Sequence, residues 1–235
     1  MIYTKTCGLN HLEDESVCFA LTDRWMNAAA DSGLKLEVFC PDNMDVPFTD
    51  NIRWITRKHP LFDFIQFHNE VNKHKKPKEN IISNHARISF NASIGDEGLR
   101  YAKGPDGEII GMKHMGNVVI QKGVVVGAFT SIARGIFGPT LIKEHTKIDR
   151  GVFISHNCTV GKRCMLVQGA SLMGSVTVGD DCFISGNAVL RNGISVADQT
   201  LIAMGAVVTK DIPYGGSVWA GVPAKRLQGW DGEIP

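Results

Sequence analysis

From Ile142 the chain reads IKEHTK, IDRGVF, ISHNCT, VGKRCM, LVQGAS, LMGSVT, VGDDCF, ISGNAV, LRNGIS, VADQTL, IAMGAV and VTKDIP, ending at Pro213. Each block of six opens on an aliphatic residue, from Ile142, Ile148 and Ile154 to Ile202 and Val208, twelve in unbroken register. Four positions after each comes a second set, including Thr146, Val152, Cys158, Cys164, Ala170 and Val176, nearly all small or β-branched. Two inward positions per six residues is too short a repeat for a helix pair. It predicts a β-solenoid in which each block gives one short strand and one corner, and three blocks close a triangular coil. Residues eighteen apart in the chain then lie one above another. The same register occurs at Ile82, Ile88 and Ile94 and at Ile120, Val126 and Ile132, which makes eighteen blocks and six coils. With parallel strands stacked about 4.8 Å apart, the prism would be roughly 29 Å tall.

Two interruptions break the register. Residues 100–119, with Lys103-Gly104-Pro105-Asp106-Gly107, read as a turn-rich excursion from the first coil, and Gly138–Leu141 as a four-residue insertion. Loops that leave a rigid solenoid are where sites are commonly built.

Glycine marks the other boundary. Of 25 glycines only Gly8 and Gly33 fall in residues 1–80. That portion predicts a small α/β module: a helix over Ser16–Ser32 capped by Asp14 or Ser16 and ended by Gly33, a strand alternating at Leu34, Leu36 and Val38, a second strand over Ile52–Thr56, and a second helix over Leu61–His74. The expected fold class is mainly β: a parallel β-helix of about six coils over 81–214, preceded by the α/β domain (1–80) and followed by a tail (215–235). Lys73–Lys78 reads as a solvated helix end and linker.

Charged residues at 21% and a net charge of +1 exclude a polyelectrolyte and give no field favouring nucleic acid or anionic lipid. Met1–Asn10 lacks the apolar run of a signal peptide, and no stretch approaches eighteen apolar residues, so a cytoplasmic protein without membrane insertion is expected. The six cysteines show no C-x-x-C spacing; Cys158, Cys164 and Cys182 fall at inward positions and read as packing. His145 and His156 are eleven apart and no close histidine pair has a ligand spacing, so no metal is expected.

One outward position carries chemistry. His156 follows inward Ile154, and Gly174 lies eighteen residues on, one coil above it. An imidazole could take a proton from an amine attacking a thioester, and the Gly174 N–H could stabilise the oxyanion that forms. Asp149, near a neighbouring corner, either fixes the imidazole tautomer or is a surface charge beside Arg150.

The hexapeptide pattern resembles the left-handed parallel β-helix of the hexapeptide-repeat acyltransferases; its hand is implied by that family. Within it, the segments Ile94-Gly95-Asp96-Glu97-Gly98 with Tyr101-Ala102, Thr130-Ser131-Ile132-Ala133-Arg134-Gly135, Lys147-Ile148-Asp149 and His156-Asn157 resemble the UDP-3-O-acylglucosamine N-acyltransferases of lipid A synthesis. That resemblance implies His156 as general base, with Asn157 beside it on the substrate. It also implies a nucleotide-binding role for the first domain, where Phe19 and Trp25 would grip a base and Thr22 stands where asparagine is expected; otherwise the two aromatics are helix core. Gly193 occupies the place expected for a second histidine of that family. The ending, Ala203–Pro213 with Val218–Arg226, resembles instead the nucleotide-sugar N-acetyltransferases that use acetyl-CoA, which implies cofactor contacts at Gly174, Gly186, Ala203, Gly205, Pro223 and Lys225.

Together these imply a homotrimeric N-acyltransferase for surface glycan synthesis. It would move a short acyl group, acetyl from acetyl-CoA, to the amine of a UDP- or dTDP-linked amino sugar. The lack of the family's second histidine and terminal helices favours CoA. The alternatives are an acyl-carrier-protein donor with a longer 3-hydroxyacyl chain, or a non-catalytic solenoid that binds nucleotide sugars.

Overall fold

The structure, a computed structural model, describes residues 5–8 and 12–233. It divides into two compact units, one comprising the chain to Lys76 plus Leu99–Met115, the other Pro77–Gly98 plus Gly116 onward.

The second unit is the solenoid. Its strands form three parallel stacks. The first face holds Ile81–Ile82, Val118–Ile120, Thr140–Ile142, Thr159–Val160, Thr177–Val178 and Ser195–Val196; the third runs from Ser93–Ile94 to Val207–Val208. The second face runs from Arg87–Ile88 to Thr200–Ile202 and gains Ser217–Ala220 and, antiparallel, Lys225–Gly229. From the third coil on, partners are eighteen apart, as in Phe153↔Ser171↔Val189. The aliphatic positions from Ile142 to Val208 are at most 3% exposed, and the second inward set from Thr146 to Ile212 at most 6%. The repeat therefore fixes both register and core. Its buried hydroxyls are satisfied: Thr130 donates to Asp149 O and Thr146 to Gly161 O, each at 2.7 Å. The first coil is looser, with Ile82 43% exposed.

The chain turns each corner by placing the residue before the second inward position in the left-handed region. Glycine does this at Gly151, Gly169, Gly193 and Gly205; asparagine or another residue does so at Asn157, Ser175 and Asn187, with φ near +60°.

The first unit is a three-stranded parallel sheet ordered β1 (Ser16–Phe19), β2 (Leu36–Pro41), β3 (Ile52–Arg57), with α1 (Asp23–Ala30) between β1 and β2 and α2 (Pro60–Val71) after β3. The helix expected from Ser16 begins only at Asp23. Ser16-Val17-Cys18 is wholly buried and pairs with Leu36-Glu37-Val38, so sheet burial overrides helical pattern there. Neither Asp14 nor Ser16 caps α1; Thr22 stands at its N-cap in an extended conformation. β2 does not alternate: Glu37 is buried, with its carboxylate 2.9 Å from Arg53 Nη1.

The excursion is an antiparallel hairpin, Tyr101–Lys103 with Ile109–Gly111, turning through Gly104–Gly107, and it clusters with the first unit. Its trailing strand is tied to α2. The Asn69 amide bonds Gly111 O and Lys113 N, and Lys113 Nζ reaches the carbonyls of Asn72 and Lys75 past the helix end. His68 donates from Nε2 to Lys113 O (2.8 Å) and accepts at Nδ1 from Thr6 Oγ1 (2.7 Å), and burial lowers its pKa.

Among the described residues no helix is long and apolar enough to cross a membrane, and no three His, Cys, Asp or Glu converge as metal ligands. Most of the Met1–Asn10 segment read for a leader lies outside the described residues.

Candidate active site

His156 sits in the corner that joins Phe153–Ile154 on the third face to Thr159–Val160 on the first. Gly174 holds the same place one coil on. The ring approaches it through Nε2 and Cε1: a Cβ built on Gly174 would stand 2.6 Å from His156 Nε2 and 2.7 Å from Cε1. Any side chain at this position would displace the imidazole from where it stands. Gly174 N–H donates to no group among the described residues, whereas Ser175 N–H donates to His156 O (2.8 Å) and Gly193 N–H to Gly174 O (2.9 Å).

Asn157 fixes the other edge of the ring. Its Oδ1 accepts from Ile136 N–H (3.0 Å) and lies 3.1 Å from His156 Nδ1. The Ile136 amide requires an acceptor, so the side-chain oxygen must face it. That oxygen can only accept from Nδ1–H as well, so in the neutral imidazole Nε2, on the side of Gly174, is the nitrogen without a proton. The backbone N–H of Asn157 donates to buried Thr140 Oγ1 (2.9 Å), and φ of +60° holds the residue in its corner. The oxygen of Asn157, a residue read from sequence as a substrate contact, is thus engaged within the chain and contacts the ring.

Asp149 is placed elsewhere. It lies in the corner between the second and third faces, and its carboxylate accepts from Arg150 N–H at 2.8 Å. The structure does not bring it to the ring; of its two readings the charge beside Arg150 is the one seen, and the contact to Nδ1 is made by Asn157. Above His156 the column runs Gly174 then Asn192, and Gly193 belongs to the next column over Asn157 and Ser175.

Gly186, Ala203 and Gly205 lie with Asp149 on the second-to-third corner, across the third face from His156. Gly205 N–H donates to Gly186 O, and Ala203 N–H to Trp219 O. Pro223 is in the turn between Ser217–Ala220 and Lys225–Gly229, and Lys225 is exposed at the start of the latter.

The first unit carries the remaining residues. Phe19, at the end of β1, packs on Phe64 with ring centroids 4.9 Å apart, while Arg100 lies over its ring at 5.5 Å. Trp25 packs half-buried on the core of α1 and β2, with Arg24 over it at 5.5 Å. Thr22 is exposed at the cap. Phe19 and Trp25 form no ring pair among the described residues. Sequence reasoning did not find Arg100, because its contact with Phe19 spans 81 residues and no local motif announces it.

Cys158, Cys164 and Cys182 are buried free thiols, and burial pushes Cys158 up to about 12. They are core, as read from the sequence.

In fold this is a left-handed parallel β-helix of hexapeptide repeats, the architecture of the hexapeptide-repeat acyltransferases, with a histidine set in a mid-solenoid corner. The sequence is 50% identical over 150 residues to UDP-3-O-acylglucosamine N-acyltransferase of Caulobacter vibrioides (strain NA1000 / CB15N), a match covering 64% of this chain and 44% of that one. It is 47% identical over 150 residues to the same-named protein of Helicobacter pylori (strain ATCC 700392 / 26695), covering 64% and 45%. The chain thus spans less than half the length of these curated relatives. Among solved structures it is similar to UDP-N-acetylglucosamine acyltransferase of Francisella novicida, with TM-score 0.56, 26% identity and coverage of 64% and 53%. The fold is also shared with the enzyme of that name from Bacteroides fragilis, with TM-score 0.51, 17% identity and coverage of 64% and 61%. No family model matches the chain.

Proposed function

We propose that the protein is an N-acyltransferase that acylates the amine of a nucleotide-linked amino sugar, with His156 as general base. The observation that carries this reading is the held imidazole: Nδ1 against Asn157 Oδ1, Nε2 aimed at Gly174 one coil above. The sugar amine attacks the thioester carbonyl while Nε2 takes its proton; a C–N bond forms, the C–S bond breaks, and the imidazolium returns the proton to the leaving thiolate. The Gly174 N–H stabilises the tetrahedral oxyanion. The nucleotide-sugar acceptor is supported by the relatives named UDP-3-O-acylglucosamine N-acyltransferase. Phe19 and Trp25 in the first unit contribute to nucleotide recognition.

For the donor we take acetyl-CoA, because Gly193 stands where the resemblance expects a second histidine, and because Pro223 and Lys225 follow the CoA-enzyme pattern; Gly186, Ala203 and Gly205 would line its path, and an exposed Lys225 ammonium suits a phosphate. An acyl-carrier-protein donor is the second reading, favoured by the 50% identity to the Caulobacter relative. In either case the working assembly is a homotrimer.

Thiol release with acetyl-CoA and a panel of UDP-, dTDP- and GDP-linked amino sugars tests this, comparing wild type with His156→Ala. Turnover that the substitution leaves unchanged would remove the base. Activity only with acyl carrier protein would promote the second reading.

A further inference from the structure

Arg100 precedes the first strand of the excursion hairpin and belongs to the amino-terminal unit. Its guanidinium is half-buried and lies 5.5 Å from the centroid of the Phe19 ring. Its backbone carbonyl is fixed by Met112 N–H (2.8 Å). The side chain makes no ion pair and no hydrogen bond among the described residues. Burial lowers its pKa, and no carboxylate acts to raise it. This is an unusual condition for arginine: a fixed charge partly removed from water with five N–H donors and only an aromatic face to answer them. The other buried charge of this unit, Glu37, is matched by Arg53 at 2.9 Å.

Location adds direction. Phe19 is the last residue of β1, and ligands of open parallel α/β sheets gather outside the carboxyl ends of the strands. Phe64 packs against the same ring at 4.9 Å, which holds the aromatic platform still beneath the guanidinium. A planar fork stacked on a ring, its donors unspent, suits a bidentate anion such as phosphate.

We propose that Arg100, stacked on Phe19, binds the diphosphate of a nucleotide ligand in the amino-terminal unit. The inference rests on the nucleotide-sugar reading above and adds to it a residue and a chemical task. It also changes the role of Phe19: the face expected to stack on a base carries the arginine, so the ring acts on the phosphates through the guanidinium.

The test is calorimetric titration of the full chain, wild type and Arg100→Gln, with UDP, GDP and dTDP, and with uridine, guanosine and thymidine as phosphate-free controls. We expect Arg100→Gln to weaken the preferred nucleoside diphosphate at least thirtyfold, to change its nucleoside less than threefold, and to flatten the salt dependence of the diphosphate affinity. Arg100→Lys, which keeps the charge and loses the fork, should fall between them and guards against misfolding of the first variant. Equal diphosphate affinity in wild type and Arg100→Gln overturns the inference and leaves the nucleotide reading standing. Equal weakening of nucleoside and diphosphate also overturns it. Failure of wild type to bind any of the three diphosphates at millimolar concentration overturns both.

Discussion

Gly174→Ala isolates the geometry of the proposed base. The new Cβ would lie 2.6 Å from His156 Nε2, where ordinary contacts begin near 3.4 Å, so the ring must retreat by about 0.8 Å. A displacement near 1 Å from an aligned attack geometry costs on the order of 100-fold in rate, or ~2.7 kcal/mol of transition-state stabilisation. Stability should change little. Gly174 is outside the left-handed region, so alanine fits its backbone, and the half-buried ring can swing toward solvent. We expect kcat/KM in the thiol-release assay to fall about 100-fold, with a thermal midpoint within roughly 4 °C of wild type. His156→Ala alone should cost on the order of 100- to 10,000-fold. In that background Gly174→Ala should add almost nothing, since its effect passes through a ring no longer present. Turnover of Gly174→Ala within threefold of wild type, with the fold intact, would refute the reasoning, as would full additivity of the two substitutions.

Three further outcomes follow from the same geometry. Asn157→Ala leaves the Ile136 N–H without its acceptor, so chemical denaturation should show a loss of about 1–3 kcal/mol and the assay a lower kcat; Asn157→Asp keeps the acceptor, should recover most of the stability, and should move the acidic limb of the pH–rate profile upward by stabilising the imidazolium. Leu172→Ala, at 1% exposure, should cost about 2–5 kcal/mol in the same melts, whereas Ile82→Ala, at 43% exposure, should cost well under half of that. Cys158, with its thiol pushed up to about 12 and its side chain fully buried, should resist iodoacetamide at pH 8 in the native protein and react on unfolding, which mass spectrometry of labelled peptides would read.

The solenoid was legible because its signal repeats. An inward position every six residues recurs eighteen times, and the stacking of coils converts that period into contacts; even the His156–Gly174 neighbourhood follows from counting. The first unit offers no such redundancy. Ser16–Phe19 carries apolar residues that continue smoothly into the pattern of α1, and only pairing with β2 assigns them to a sheet. Glu37 reads as a surface residue until Arg53 is brought beside it. The chemistry shows the same division. His156 and its neighbour Gly174 follow from register, but spacing left Asp149 open between orienting the ring and being a surface charge. The contact to the ring comes from Asn157, whose oxygen is set by the Ile136 amide, and that amide reaches it only when the loop before Thr140 folds over the corner. Arg100 sits on a hairpin that interrupts the solenoid's sequence yet clusters with the amino-terminal unit, a placement no spacing rule contains.

His156 closes the third coil and Gly174 the fourth of six, and this central position carries a mechanical benefit. In a stack where each layer touches only its neighbours, disorder enters at the rims and must consume whole layers to advance. The loosely packed layer at Ile82 can therefore breathe without disturbing the distance between imidazole and glycine, and so can the strands added beyond Thr200–Ile202. Two coils on either side act as sacrificial insulation, and the alignment of imidazole and glycine outlives the order of the structure that surrounds it.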